Sequence, residues 1–122
     1  MVMAASAKKV EFFIPTPACA CSGASFLRDQ EKLTEMLTIM AELEERFPDV
    51  ELVRHDMVDE SAYSNNLKVL AAYLREAGED DFSSRIAFSL KYVLPAIAVD
   101  GKLVAYGKVP EMEEVTGAIT AA

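Results

Sequence analysis

Ligands for a metal are scarce in this chain. Two cysteines and one histidine in 122 residues fall short of the roughly four ligands that a zinc or iron–sulfur centre takes. Soft two-coordinate Cu(I), or a site shared between two copies, is what the ligand count leaves open. Basic residues are also few, 12 Lys and Arg against 20 Asp and Glu, for a formal net charge of −8. Nucleic-acid modules displace counterions with clustered cations, so this balance argues against a nucleic-acid partner. Long apolar runs are missing: the longest, Tyr92 to Val99, is far below the roughly 20 residues that cross a bilayer. The opening Met1-Val2-Met3-Ala4-Ala5-Ser6-Ala7 has small residues but no charged start and no apolar h-region. There is no Asp-x-Asp-x-Asp-Gly loop, and Asp56, Asp59, Glu60, Glu79, Asp80 and Asp81 read as solvated surface before they read as a cation site. Repeats, linkers and low-complexity blocks are likewise lacking. One domain over residues 1–122 with a single core is expected, in the cytoplasm, where thiols are kept reduced.

Against those absences stands Pro15-Thr16-Pro17-Ala18-Cys19-Ala20-Cys21-Ser22-Gly23, which holds both cysteines. It lies between Lys8 to Ile14, apolar enough for a buried first strand, and a helical run from Ser25 to Arg46. In that run Phe26, Leu33, Met36, Leu37, Met40, Leu43 and Phe47 recur at steps of three and four residues, with Ser22 or Ser25 as a cap and Pro48-Asp49 as the stop. Met36 and Met40 on this stripe read as packing. Val50 to His55 alternates like a second strand. Tyr63, Leu67, Leu70, Leu74 and Ala77 mark a second helix capped by Asp59 or Ser61 and closed by Gly78; Tyr63 and Tyr73 read as plain helix-face aromatics. Residues 79–93 are ambiguous: Phe82, Ile86, Leu90 and Val93 fit a short helix, the favoured reading, while Ile86, Phe88, Leu90 and Tyr92 fit a strand. The segment Leu94 to Val99 is strand-like after Pro95, and Lys102 to Tyr106 returns antiparallel across the two-residue Asp100-Gly101 turn. Gly107 reads as a flexible exit from that strand. Pro110 suits the first position of a last helix, with Glu111, Glu113 and Glu114 in its first turn and Met112, Val115 and Ile119 facing the core. The order is β-α-β-α-(α)-β-β-α, and its strand–helix–strand start implies a parallel pair with a right-handed crossover.

Two thiols at i and i+2, at or just before a helix N-terminus, meet unsatisfied N–H groups and the positive end of the dipole. That setting can draw a thiol from a pKa of about 8.5 down to about 3.5–7.5. The pair can then exchange disulfides or grip a soft metal, and the small ring of a Cys-x-Cys disulfide would place it at the oxidising end. The plainer alternative is that Cys19 and Cys21 are inert, buried, small apolar residues. His55, at the end of the second strand, could relay a proton or ligate metal, but reads more simply as a solvated strand-end histidine.

With its cysteine loop after the first strand, Leu94-Pro95 before the third, and Val99-Asp100-Gly101-Lys102-Leu103-Val104 followed by Gly107, the chain resembles the thioredoxin-like superfamily over nearly its whole length. The resemblance implies a three-layer α/β fold, a mixed four-stranded sheet with helices on both faces. It also implies thiol–disulfide exchange with a protein or small-molecule partner and no cofactor. Cys19 would then be the nucleophile, Cys21 the resolving thiol, and Pro95 the cis-proline beside them. Within the superfamily the chain is similar to arsenite metallochaperones, through Val50-Glu51-Leu52-Val53-Arg54, Asn66, Lys68 and Val69, Ala77-Gly78, Leu94-Pro95, Asp100-Gly101 and Tyr106-Gly107-Lys108-Val109-Pro110. Those proteins use adjacent cysteines plus a third. Here Ala20 splits the pair, Ser25 lies near the place of the third thiol, and residues 79–93 look inserted. This likeness implies a non-enzymatic carrier holding a thiophilic metal or metalloid between Cys19 and Cys21. A thioredoxin-fold adaptor with idle thiols is the remaining alternative.

Overall fold

The structure is a computed structural model that describes residues 7–14, 24–56 and 63–121. Along the chain come β1 (Lys9–Ile14), α1 (Ala24–Arg46), β2 (Glu51–Asp56), α2 (Tyr63–Glu76), α3 (Asp80–Ser84), α4 (Ile86–Val93), β3 (Ala96–Val99), β4 (Lys102–Tyr106) and α5 (Met112–Ala121). The strands form one mixed sheet in the order β2-β1-β3-β4. β1 runs parallel to β2, with Phe13 opposite His55 and Ile14 opposite Asp56, and antiparallel to β3, with Phe13 opposite Ala96.

An inner strand covered on both faces must be apolar on both, and β1 is buried from Val10 to Ile14. Its side chains alternate between two cores. Val10, Phe12 and Ile14 pack with Met36, Ile39 and Leu43 of α1 and with Val115 and Ile119 of α5. Phe13 packs on the other face with Leu70 and Leu74 of α2 and with Val93 and Leu94. Helices α1 and α5 therefore cover one side and α2, α3 and α4 the other, a thioredoxin-like three-layer α/β fold with a mixed four-stranded sheet.

Several local expectations shift. The buried stripe of α1 runs through Met36, Ile39 and Leu43, and Leu37, one step off it, is left exposed. Residues 79–93 form two helices, α3 and α4, instead of one. The alternation that suggested a strand breaks there, because Phe88 and Tyr92 are 85% and 59% exposed while Val93 is fully buried. Strand β3 does start directly after Pro95, at Ala96, as expected. Pro110 lies ahead of α5, not at its first position, and Glu111 occupies the cap. Its N–H donates to Glu114 Oε1 at 3.2 Å, half of a capping box.

The hairpin follows its sequence signal. Asp100 and Gly101 have φ of 49° and 82°, the left-handed pair that a two-residue primed turn needs. Asp100 also clasps the entrance of β1. Its Oδ1 accepts the N–H groups of Lys9 at 2.9 Å and Lys8 at 3.0 Å, and its own N–H donates to the Lys9 carbonyl at 2.9 Å. The two backbone donors, Lys9 first, hold the carboxyl below its ordinary range.

Candidate functional site

Three elements converge where β1 ends. Ile14 is its last residue, Asp56 ends β2 beside it, and Pro95 immediately precedes Ala96, the partner of Phe13. α1 starts at Ala24 with no acidic residue in its first turn, so no carboxylate there offsets the positive end of its dipole. Residues 15–23 bridge the centre of the sheet edge to that helix start. Cys19 and Cys21 belong to this bridge and lie outside the described residues. Pro95 is described: it is buried and its peptide bond with Leu94 is cis.

Pro95 is fastened from the β4 side. The N–H of Gly107 donates to the carbonyls of Val93 at 2.9 Å and Pro95 at 3.0 Å. Gly107 has φ of 76°, and a Cβ there would collide with the carbonyl oxygen of Tyr92. This glycine is structural, as its position suggested, but it is a tight junction and not a flexible exit. It holds the α4–β3 connection against the end of β4.

Beneath this edge, on the α2 face of the sheet, sits a buried polar cluster that the sequence reading passed over. Glu11, in the middle of β1, is 3% exposed. Its Oε1 accepts the Tyr73 hydroxyl at 2.5 Å and lies 3.7 Å from Lys9 Nζ, while its Oε2 is 2.8 Å from His55 Nε2. The other ring nitrogen of His55, Nδ1, is 3.1 Å from Asn66 Oδ1, and Asn66 is buried. The imidazole stacks on Phe13, with centroids 4.7 Å apart and planes 18° apart. Burial pushes the Glu11 carboxyl upward, but the hydrogen bonds from Tyr73 and His55 and the charge of Lys9 outweigh it and hold the group below its ordinary range. The same contact works on Tyr73 in the opposite sense: burial first, then the bond to the Glu11 carboxylate, pushes its hydroxyl up to about 12.

These contacts correct two expectations. His55 shares the sheet edge with the end of β1, but its side chain is only 14% exposed and both ring nitrogens are engaged, so it is neither a solvated histidine nor, in this arrangement, an open ligand. Tyr73 is not a plain helix-face aromatic, since its hydroxyl anchors α2 to β1. A signal for the cluster was present in the sequence. A carboxylate placed between Val10 and Phe12, in a strand read as buried, requires a partner, because an isolated buried charge is very costly. Met36 is fully buried and Met40 packs against the same core, as the helical stripe implied. Asp80 and Asp81 are exposed. Among the described residues no group of three or more His, Cys, Asp or Glu is placed to hold a metal ion, and none of the helices is long and apolar enough to cross a membrane.

No family model matches the chain, and no curated protein matches it. Among solved structures, the chain is similar to the arsenical resistance operon trans-acting repressor from Bacteroides vulgatus ATCC 8482, with 19% sequence identity, a TM-score of 0.54 and 98% of each chain covered. At that identity the likeness is one of fold, extending over the whole three-layer unit.

Proposed function

We propose that the chain is a carrier for a thiophilic metalloid, trivalent arsenic in the first instance, held by the sulfurs of Cys19 and Cys21. The observation that carries the reading is the position of the bridge 15–23. It contains every sulfur nucleophile of the chain and joins the centre of the sheet edge to the start of α1. The structural neighbour named for an arsenical resistance operon supports arsenic as the ligand to try first.

The chemistry is ligand exchange without a change of oxidation state. Arsenous acid, As(OH)3, loses one hydroxide for each As–S bond formed, and the two thiol protons leave with the two hydroxides as two waters. A chain with two cysteines leaves the third position of arsenic to hydroxide or to an incoming thiol. That open position is where a receiving thiol would attack to take the cargo on. A helix N-terminus lowers the cost of the thiolate form, which is the form that ligates.

Titration of the reduced protein with arsenite, followed by native mass spectrometry, tests this. One arsenic per chain is expected in the wild type, and none in Cys19→Ser, Cys21→Ser at the same concentrations. Binding that survives the double substitution would remove the proposed ligands. Absence of binding, together with a reversible Cys19–Cys21 disulfide in glutathione buffers, would transfer the site to thiol–disulfide exchange.

A further inference from the structure

The turn between β3 and β4 holds reactive backbone chemistry. Asp100-Gly101 is the only step in the sequence at which an Asp or Asn precedes a Gly. No side chain shields the glycine nitrogen there, so the carboxyl group is open to attack by its own backbone. The reaction is a dehydration followed by a hydrolysis. The Gly101 nitrogen bonds to Cγ of Asp100, one Cγ–O bond breaks, and the amide proton leaves with the carboxyl hydroxyl as water, giving a cyclic imide. Water then opens the ring at either carbonyl. Opening at Cγ restores aspartate; opening at the backbone carbonyl leaves isoaspartate, whose main chain runs through the former side chain and is one methylene longer.

The folded chain restrains this step in two ways. The carboxylate is committed to the start of β1, where Oδ1 accepts the N–H groups of Lys9 at 2.9 Å and Lys8 at 3.0 Å. Donors of this kind favour the ionised form, which is a poorer electrophile than the neutral acid. The backbone rotation that ring closure needs is also held. Val99 pairs with Lys102 across the turn, and the N–H of Asp100 donates to the Lys9 carbonyl at 2.9 Å. Both restraints meet at the entrance of β1, where Ala7 also donates to the Ile119 carbonyl and Glu51 to the Lys8 carbonyl. Release of that corner removes them together.

We propose that Asp100 is a site of isoaspartate formation gated by its clasp on β1: the closed chain keeps its aspartate and the opened chain converts. Conversion is then one-way for the fold, because the lengthened backbone no longer fits the two-residue turn between Val99 and Lys102. The gate does not depend on what Cys19 and Cys21 bind.

Incubation of the reduced full chain in heavy-oxygen water, across a guanidinium chloride series near neutral pH, tests the gate. Each ring opening leaves one heavy oxygen in the tryptic peptide 92–102, and chromatography separates its isoaspartyl form. A synthetic peptide of the same residues supplies the unrestrained rate. The folded chain should label at least about tenfold more slowly than the peptide, since reaction passes through the opened population. With denaturant the rate should climb with the unfolded fraction, read by circular dichroism, until it meets that of the peptide. Lys8→Pro deletes one of the two donors and should label several-fold faster than the wild type while still folded. Asp100→Glu, whose ring closure is strongly disfavoured, should carry no label at this step. A folded wild type that labels as fast as the peptide would overturn the proposal, as would a rate indifferent to denaturant. A folded Lys8→Pro chain with the wild-type rate would remove the clasp as the gate; if that variant does not fold, the denaturant series decides alone.

Discussion

Glu11 sits in the strand least able to solvate it, and the three side chains around its carboxylate make that tolerable. Removing one partner of a buried, hydrogen-bonded charge typically costs about 3–5 kcal/mol, a large share of the roughly 5–15 kcal/mol that keeps a domain folded. Glu11→Ala strands His55 and Tyr73 and should lower unfolding stability by about that amount, read by urea denaturation. Because the folded carboxyl is held below its unfolded value, its contribution is complete above the unfolded pKa and fades as pH falls through the folded one. The stability difference between wild type and Glu11→Gln should therefore narrow in acid; a constant gap from neutral pH down to about pH 3 would contradict the cluster. Tyr73 gives the alkaline counterpart. Its hydroxyl, raised to about 12, favours the folded state fully below the ordinary tyrosine range, and this contribution is lost as pH rises through the folded value. Ultraviolet titration should show a phenolate forming well after the ordinary tyrosine range, and Tyr73→Phe should remove one phenolate from that late phase. At this scale the sequence displayed the acid but not its partners: His55 and Tyr73 come from positions 44 and 62 residues away, and only the β1–β2 pairing and the packing of α2 on the sheet bring them to it.

Elements were legible where a single period dominates. The stripe of α1 and the Asp100-Gly101 turn each follow from local chemistry, and their boundaries moved by a residue at most. Residues 79–93 resisted because Ile86 and Leu90 satisfy a helical and an alternating pattern together. Burial of Val93 and exposure of Phe88 decide between them, and tertiary contact sets both. Gly107 shows the same limit. Its φ of 76° and its closeness to the Tyr92 carbonyl are properties of the junction between α4, β3 and β4, invisible in a lone glycine after a strand. Gly107→Ala incurs a left-handed backbone penalty of about 1–2 kcal/mol and a steric one of about 1–3 kcal/mol. A loss of about 2–5 kcal/mol in chemical denaturation is expected; a loss under about 0.5 kcal/mol, the usual scale of a neutral surface change, would show that the junction is loose.

For the molecule as a whole, the order of strands and helices was enough to reach the three-layer sheet, since a parallel first pair and a closing hairpin leave few ways to bury both faces of β1. The chemistry was not reached in the same way. Two sulfurs separated by one residue suit disulfide exchange and metalloid capture alike, and the scaffold that joins β1 to α1 through their segment serves either use. The structure of the bound ligand separates the two. X-ray absorption at the arsenic edge, on reduced protein loaded with arsenite, counts the sulfurs around the metalloid directly. A first shell of two sulfurs and one oxygen, reduced to oxygen alone in Cys19→Ser, Cys21→Ser, is the predicted result. An all-oxygen shell in the wild type would contradict the account.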